Sequence, residues 1–410
     1  MADQNKSKKK TEKWMKFRHR VVRNIAYAVL YPYSKIKYGL TVEKFKEQGD
    51  RPYVILLNHQ TPFDQFFVGM VFKGPVYYLA TEDIFSMGWV SSLIRWLVAP
   101  IPIKKQTTDV KAVITCMRVA KEGGTIAIAP EGNRTYSGKT EYIDPAIVAL
   151  VKKLGLPVAL YRLEGGYGVE PRWSDVVRKG KMRGYVSEVI EPEEYKDMTN
   201  DELLSIIQKG LYVNEANADN EYKHEKLAEY LERAIYVCPK CGLSTFESHG
   251  DTIECKKCGM KVVYTPTTEL KSDDEKFKLR FVNDWYEYQK SFVNELDTAR
   301  YTDEPIWRDT ANMSEVIVYK NKQPLRENAS LALYGDRIVV DEGKEDEIVF
   351  PFENLTAIAV LGRNKLNVYH EKRVYQFKGD KRFNALKYVN ICYRHKNIVK
   401  GALNEQFLGL

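Results

Sequence analysis

At 410 residues the chain is too long for one small core, and two or three domains are expected. With 44% hydrophobic and 29% charged residues, composition excludes a disordered or fibrous protein. The net charge of +8 sits almost wholly at the start, where nine Lys and Arg in residues 1–23 face only Asp3 and Glu12, so the rest is close to neutral.

That basic arm suits an anionic membrane surface or nucleic acid. Within it Trp14, Phe17, Val21, Ile25 and Val29 recur at helical spacing, with Lys16, Arg20 and Arg23 turned away. Residues 1–35 therefore read as an interfacial amphipathic segment, its cations on lipid headgroups. The alternative is a helix packed on the protein's own core with a solvated basic tail. The apolar run IAYAVLYPY has no small-residue cleavage site after it and is far shorter than a membrane span. The longer run Ile84 to Ile103 is broken by Arg95, Pro100 and Pro102, and reads as a hydrophobic helix at the membrane surface or in the core. Nothing calls for export, so the expected place is the cytoplasmic face of a membrane, peripheral or monotopic.

Helix and strand alternate next. YVILL (53–57) is a strand leading into NHQTPFD, where Pro62 favours a turn. Residues 109–121 suit a helix stopped by Gly123-Gly124. TIAIA (125–129) is a strand leading into PEGNRTYSG; 145–154 suit a helix and 156–163 a strand. The pattern is an α/β domain over 36–215 with a largely parallel sheet, whose ligands gather where loops leave the strand ends. Both loops follow strands and are expected to face one pocket. His59 is the only histidine of this segment, and Asp64 follows five residues on. A carboxylate that fixes the ring makes a histidine a general base. The second loop adds Glu131, Asn133 and Arg134, and an arginine fork suits phosphate. A histidine and a carboxylate alone are more often a satisfied structural pair than a catalytic one. Gly165, Gly166 and Gly168 in EGGYGVEPRW (164–173) read as a turn, and Cys116 as a buried apolar thiol.

These residues in this order resemble the 1-acylglycerol-3-phosphate acyltransferase family of the glycerolipid acyltransferases. Asn58, His59 and Asp64 match its NHxxxxD motif. Pro130, Glu131, Gly132 and Arg134 match PEGTR, with Asn133 in place of Thr. In IPIKK (101–105) Lys105 stands where the family usually has Arg, and LPVAL (156–160) keeps Pro157 but has Leu160 for a second Pro. The resemblance covers about residues 20–215. It implies His59 and Asp64 as the catalytic pair, and Arg134 with Lys105 as the grip on an acceptor phosphate. Glu131 and Gly132 would shape the loop among the substrate-binding residues, with backbone N–H groups facing the oxyanion. It further implies an acyl-CoA or acyl carrier protein thioester as donor and lysophosphatidic acid as acceptor, giving phosphatidic acid. Another lysophospholipid or aminolipid acceptor, or a non-catalytic membrane adaptor, remains as the alternative.

After an expected helical linker (216–236), CPKCG and CKKCG place Cys238, Cys241, Cys255 and Cys258 as two CxxC knuckles in a ribbon over 237–265. Four cysteines at this spacing specify a tetrahedral, all-thiolate structural zinc site. Charge across the ribbon is balanced, which favours a scaffold or a protein-partner surface over nucleic acid. Residues 266–305 are expected to be helical, with Phe277, Phe281, Trp285 and Tyr288 on one side. From 306 to 410 seven strands are expected, starting with SEVIVYK (314–320), and then a helix over 381–396. That β-rich pattern resembles a pleckstrin-homology-type barrel and suits a lipid headgroup or a protein partner.

Overall fold

The computed structural model describes residues 13–81, 83–103, 109–216 and 219–402. Helix α1 (Phe17–Tyr38) leads into β1 (Leu40–Val42), β2 (Val54–Leu57), α2 (Asp64–Val71), β3 (Val76–Thr81), α3 (Trp89–Val98) and β4 (Ile101–Ile103). Then come α4 (Val110–Lys121), β5 (Thr125–Ile128), α5 (Ala146–Leu154), β6 (Val158–Glu164), the short α6 (Gly166–Val169), β7 (Met182–Ile190), α7 (Pro192–Tyr195) and α8 (Asn200–Leu211). The strands form one sheet in the order β1-β7-β6-β2-β5-β3-β4. All neighbours are parallel except β6 and β7. Every residue of β2 and β5 is buried, as a parallel sheet with both faces covered requires. One face packs under α1 and α2; the other packs under α4, α5 and α8.

Local chemistry sets the helix ends. Asp109 accepts from the Lys111 and Ala112 amides and starts α4. Thr199 and Glu202 close a reciprocal capping box on α8. Helix α1 stops at Gly39 (φ +62°), where a Cβ would lie 2.0 Å from the Gly180 carbonyl oxygen.

The run from Ile84 to Ile103 is not one helix. It is a 3-10 turn (Ile84–Ser86), then α3, then the edge strand β4. Positive φ at Gly88 and Ala99 breaks it, and proline is tolerated in an edge strand. Among the described residues no helix is long and apolar enough to cross a membrane. Arg23 also departs from expectation. Its guanidinium turns to the protein and donates to the Gly69 (3.0 Å) and Phe72 carbonyls at the end of α2, where a cation suits the helix dipole.

Among the described residues of 216–236 there is no α-helix: Lys223 bridges to Lys179, turns and bends follow, and a 3-10 turn forms at Leu231–Arg233. The ribbon follows as β8 (Val237–Cys238), β9 (Gly242–Leu243), β10 (Phe246–His249), β11 (Thr252–Cys255), β12 (Lys261–Tyr264) and β13 (Leu270–Lys271). Of the expected helical stretch 266–305 only α9 (Val282–Asn294) is an α-helix; Phe277 and Phe281 precede it and pack as core side chains.

The C-terminal sheet holds β14 (Trp307–Glu315), β15 (Gln323–Leu333), β16 (Arg337–Val340), β17 (Ile348–Pro351), β18 (Leu355–Leu361), β19 (Lys365–His370) and β20 (Arg373–Gly379), closed by α10 (Leu386–Lys400). It is antiparallel, in the order β17-β16-β15-β14-β20-β19-β18. The pleckstrin-homology resemblance rests on strand number and the closing helix alone. The first strand lies earlier than SEVIVYK, because Val316–Lys320 leaves the sheet to meet the α/β domain: the Tyr319 amide donates to the Phe85 carbonyl (2.7 Å).

The three parts are not separate bodies. One hydrophobic cluster joins Tyr136, Tyr167 and Trp173 of the α/β domain to the ribbon, α9 and the C-terminal sheet. Arg178 sits inside this junction, donating to the Gly168 carbonyl, the Tyr264 hydroxyl and the Leu227 carbonyl, with its cation against the Trp173 and Tyr264 rings.

Candidate active site

Strands β2 and β5 are adjacent and in register, Leu56 opposite Ile128, so the loops after them leave the same end of the sheet side by side. Asn58 fixes the first loop by exchanging two hydrogen bonds with the Leu163 backbone (2.9 and 2.8 Å). Pro62 and Phe63 turn the chain into α2, placing Asp64 in its first turn. There its carboxylate accepts from the Gln60 amide (2.7 Å), the Thr61 amide (3.0 Å) and the Thr61 hydroxyl (2.6 Å). The same carboxylate lies 2.7 Å from His59 Nδ1. Asp64 is 1% exposed and the His59 side chain 26%. A carboxylate fixed by chain donors makes Nδ1 the protonated nitrogen, which leaves Nε2 as the basic nitrogen.

The second loop is tied to the first through Glu131. One of its oxygens accepts from the His59 amide (2.8 Å) and the other from the Glu141 amide (2.8 Å). The Thr135 amide returns a bond to the His59 carbonyl (3.0 Å). Glu131 is thus a brace between loops, both oxygens occupied, rather than a contact left open for substrate. Burial pushes its carboxyl up to about 8 against the pull of these backbone donors. Gly132 is exposed at φ +68°. Its N–H donates to the Ala129 carbonyl (3.0 Å), so it is not free to face an oxyanion.

Arg134 has a buried Nη1 with no hydrogen-bond partner. Burial first, then the charges of Arg172 and Arg363, lower its pKa to about 10, while Glu170 and Asp64 pull it up. These groups therefore share one neighbourhood with the His59–Asp64 pair. A buried guanidinium N–H without a partner is an arrangement suited to an anion. Lys105 lies outside the described residues.

Gln60 receives the Tyr167 amide (3.1 Å) and donates to Glu215 (3.1 Å). Burial raises Glu215 to about 7. Arg172, in the stretch read as a plain turn, donates to the Arg134 carbonyl (2.8 Å) and to Asn133 (3.3 Å). Gln60 and Glu215 are 155 residues apart in the chain, and no local pattern announces them.

At the other end of the ribbon, Cys238 Sγ and Cys258 Sγ are 3.7 Å apart, and Cys241 Sγ and Cys255 Sγ 3.6 Å. All four sulfurs lie within 4.8 Å of one another, and none is in a disulfide. A tetrahedral zinc with Zn–S of about 2.3 Å needs sulfurs about 3.8 Å apart. The donor set fits that ion and leaves no position for water.

Residues 38–159 match the Acyltransferase family, and residues 231–269 match a zinc-ribbon family described as the 7 kDa subunit of DNA-directed RNA polymerase. The chloroplast 1-acyl-sn-glycerol-3-phosphate acyltransferase LPAT1 of Arabidopsis thaliana is 24% identical over 195 residues, covering 45% of this chain and 52% of its own length. The 1-acyl-sn-glycerol-3-phosphate acyltransferase of Bacillus subtilis is 22% identical over 164 residues, 40% of this chain and 79% of its own. The chain thus spans about half the length of the Arabidopsis relative. The structure of PlsC, the 1-acyl-sn-glycerophosphate acyltransferase of Thermotoga maritima, aligns over 47% of this chain and 75% of its own at 21% identity, with a TM-score of 0.39. The loops that carry His59, Asp64, Glu131 and Arg134 lie inside the segment that matches the Acyltransferase family.

Proposed function

We propose that the protein transfers a fatty acyl group from a thioester of coenzyme A or acyl carrier protein to the free hydroxyl of lysophosphatidic acid, giving phosphatidic acid. The observation that carries this reading is the His59 Nδ1–Asp64 hydrogen bond, together with the buried Arg134 Nη1 that has no hydrogen-bond partner. Nε2 takes the hydroxyl proton as the acceptor oxygen attacks the thioester carbonyl. Asp64 steadies the imidazolium. When the tetrahedral intermediate collapses, the C–S bond breaks and the proton passes to the leaving thiolate. The acceptor oxygen is the nucleophile, so no acyl-enzyme forms. Arg134 holds the acceptor phosphate and Glu131 keeps the two loops in register. Lys105 is a second cation for the phosphate.

A membrane seat fits this chemistry, because acceptor and product are lipids. On α1, Phe17, Val21, Ile25, Val29 and Ile36 are exposed, and on the neighbouring α3 so are Trp89, Leu93 and Trp96. Such an exposed apolar face suits the acyl boundary. Zinc in the four-thiolate ribbon is structural in this reading, and the ribbon braces the fold rather than binding nucleic acid.

The test is product analysis with a panel of lysophospholipid and aminolipid acceptors and both thioester donors. Phosphatidic acid as the main product supports the reading. A different acylated lipid keeps the reaction but changes the acceptor. Thiol release with free fatty acid only, or no reaction by folded protein, overturns it in favour of an adaptor.

A further inference from the structure

The turn between β18 and β19 brings Arg363 from the C-terminal domain against the α/β domain. Its Nη2 lies 2.6 Å from Glu170 Oε1, just after α6. Arg172 fixes this placement. It donates to the Val360 (3.1 Å) and Gly362 (3.2 Å) carbonyls of the hairpin and to the Arg134 carbonyl (2.8 Å) of the second catalytic loop. One side chain thereby fastens the hairpin tip to the loop that carries Arg134. Arg172 is 2% exposed and its donors are engaged within the chain, so it is not available to a ligand.

The local charge is not balanced. Asp175 is taken by Arg233 (2.7 Å), and its oxygen is 3.7 Å from Arg363 Nε, too long for a hydrogen bond. Arg363 Nε and Arg134 Nη1 are both buried without a hydrogen-bond partner. Four guanidiniums, Arg134, Arg172, Arg233 and Arg363, share this neighbourhood with three carboxylates, Glu170, Asp175 and Asp64. Two buried cationic N–H groups without a partner in a cluster with more arginines than carboxylates suit an anion.

We infer that Arg363 is a second guanidinium for the acceptor's phosphate, delivered across the domain boundary, so that the active site is incomplete without the C-terminal half of the chain. The inference rests on Arg134 being the phosphate anchor of the proposed reaction. Glu170 holds Arg363 in place, Arg172 sets its distance from Arg134, and the two forks grip the phosphate from opposite domains. The site then disfavours acceptors without a phosphate by leaving the buried Arg134 Nη1 and Arg363 Nε without a hydrogen-bond partner.

The experiment measures direct binding of a short-chain lysophosphatidic acid, together with turnover, for wild type, Arg363→Ala, Arg363→Lys and Asp83→Asn. Asp83 pairs with Lys322 and Lys365 across the same boundary, so Asp83→Asn removes another cross-boundary ion pair while Arg172 still holds the hairpin at the Arg134 loop, and controls for the loss of such a pair. Loss of a charged hydrogen bond to phosphate corresponds to weakening of about ten- to a hundredfold. That loss is expected for Arg363→Ala in both binding and KM, with kcat little changed, part recovery in Arg363→Lys and wild-type binding in Asp83→Asn. Wild-type binding by Arg363→Ala, equal losses in Arg363→Ala and Asp83→Asn, or no binding by wild type would overturn the inference. Arg363-dependent binding without turnover would instead sink acyl transfer and leave this site standing.

Discussion

Asp64 accepts from two backbone amides, a threonine hydroxyl and the His59 ring, so a change there acts on the histidine's tautomer before it acts on substrate. Asp64→Asn is expected to lower kcat by about a hundredfold or more with KM little moved; steady-state kinetics at saturating donor check this, and a rise in KM alone would contradict it. Glu131 gives a pH signature. Its folded pKa, about 8, stands above the ordinary 4.5, so its contribution to stability is complete below the unfolded value and is lost as pH rises through the folded one. Relative to Glu131→Gln, the wild type should lose stability between about pH 5 and about pH 8; urea unfolding at both ends measures it, and a constant difference would refute it. His59 and Asp64 were legible in the sequence because both partners lie in one seven-residue loop. Glu170, Arg172 and Arg363 were not, since each meets its partners only through tertiary packing across up to 193 residues.

The elements follow the same logic. Alternation and helical spacing placed β2, α4, β5, α5 and β6 within a residue or two, because a buried parallel strand and an amphipathic helix each repeat a simple pattern. Positions that depend on backbone conformation or distant partners were misread: the breaks at Gly88 and Ala99, the turns in place of a helix over 219–236 and the departure of Val316–Lys320 from the sheet. The apolar spacing on α1 was legible, and its exposed side chains are the ones expected to meet lipid. A Phe17→Asp, Ile25→Asp pair should weaken binding to anionic vesicles by about tenfold or more while leaving the melting temperature unchanged, since both side chains are exposed. Sedimentation with vesicles tests this, and undiminished binding would remove α1 from the membrane seat.

For the whole molecule, the three-part order was readable from motifs but the docking was not. Arg178, Trp173 and Tyr264 knit ribbon to catalytic domain, and no composition shift marks a junction made of shared core. Loss of zinc should therefore reach the active site. Cys255→Ser, or chelation under native conditions, is expected to lower the melting temperature of the entire chain and reduce acyl transfer together; a single intact transition with unchanged activity would show the ribbon to be a passenger. The central claim remains His59 as the base. The most direct measurement is acyl transfer from a thioester to lysophosphatidic acid by wild type and His59→Ala, with equal folding checked by circular dichroism. A loss of about a hundredfold or more in phosphatidic acid formation is the expected result; equal rates in the two proteins would contradict the account.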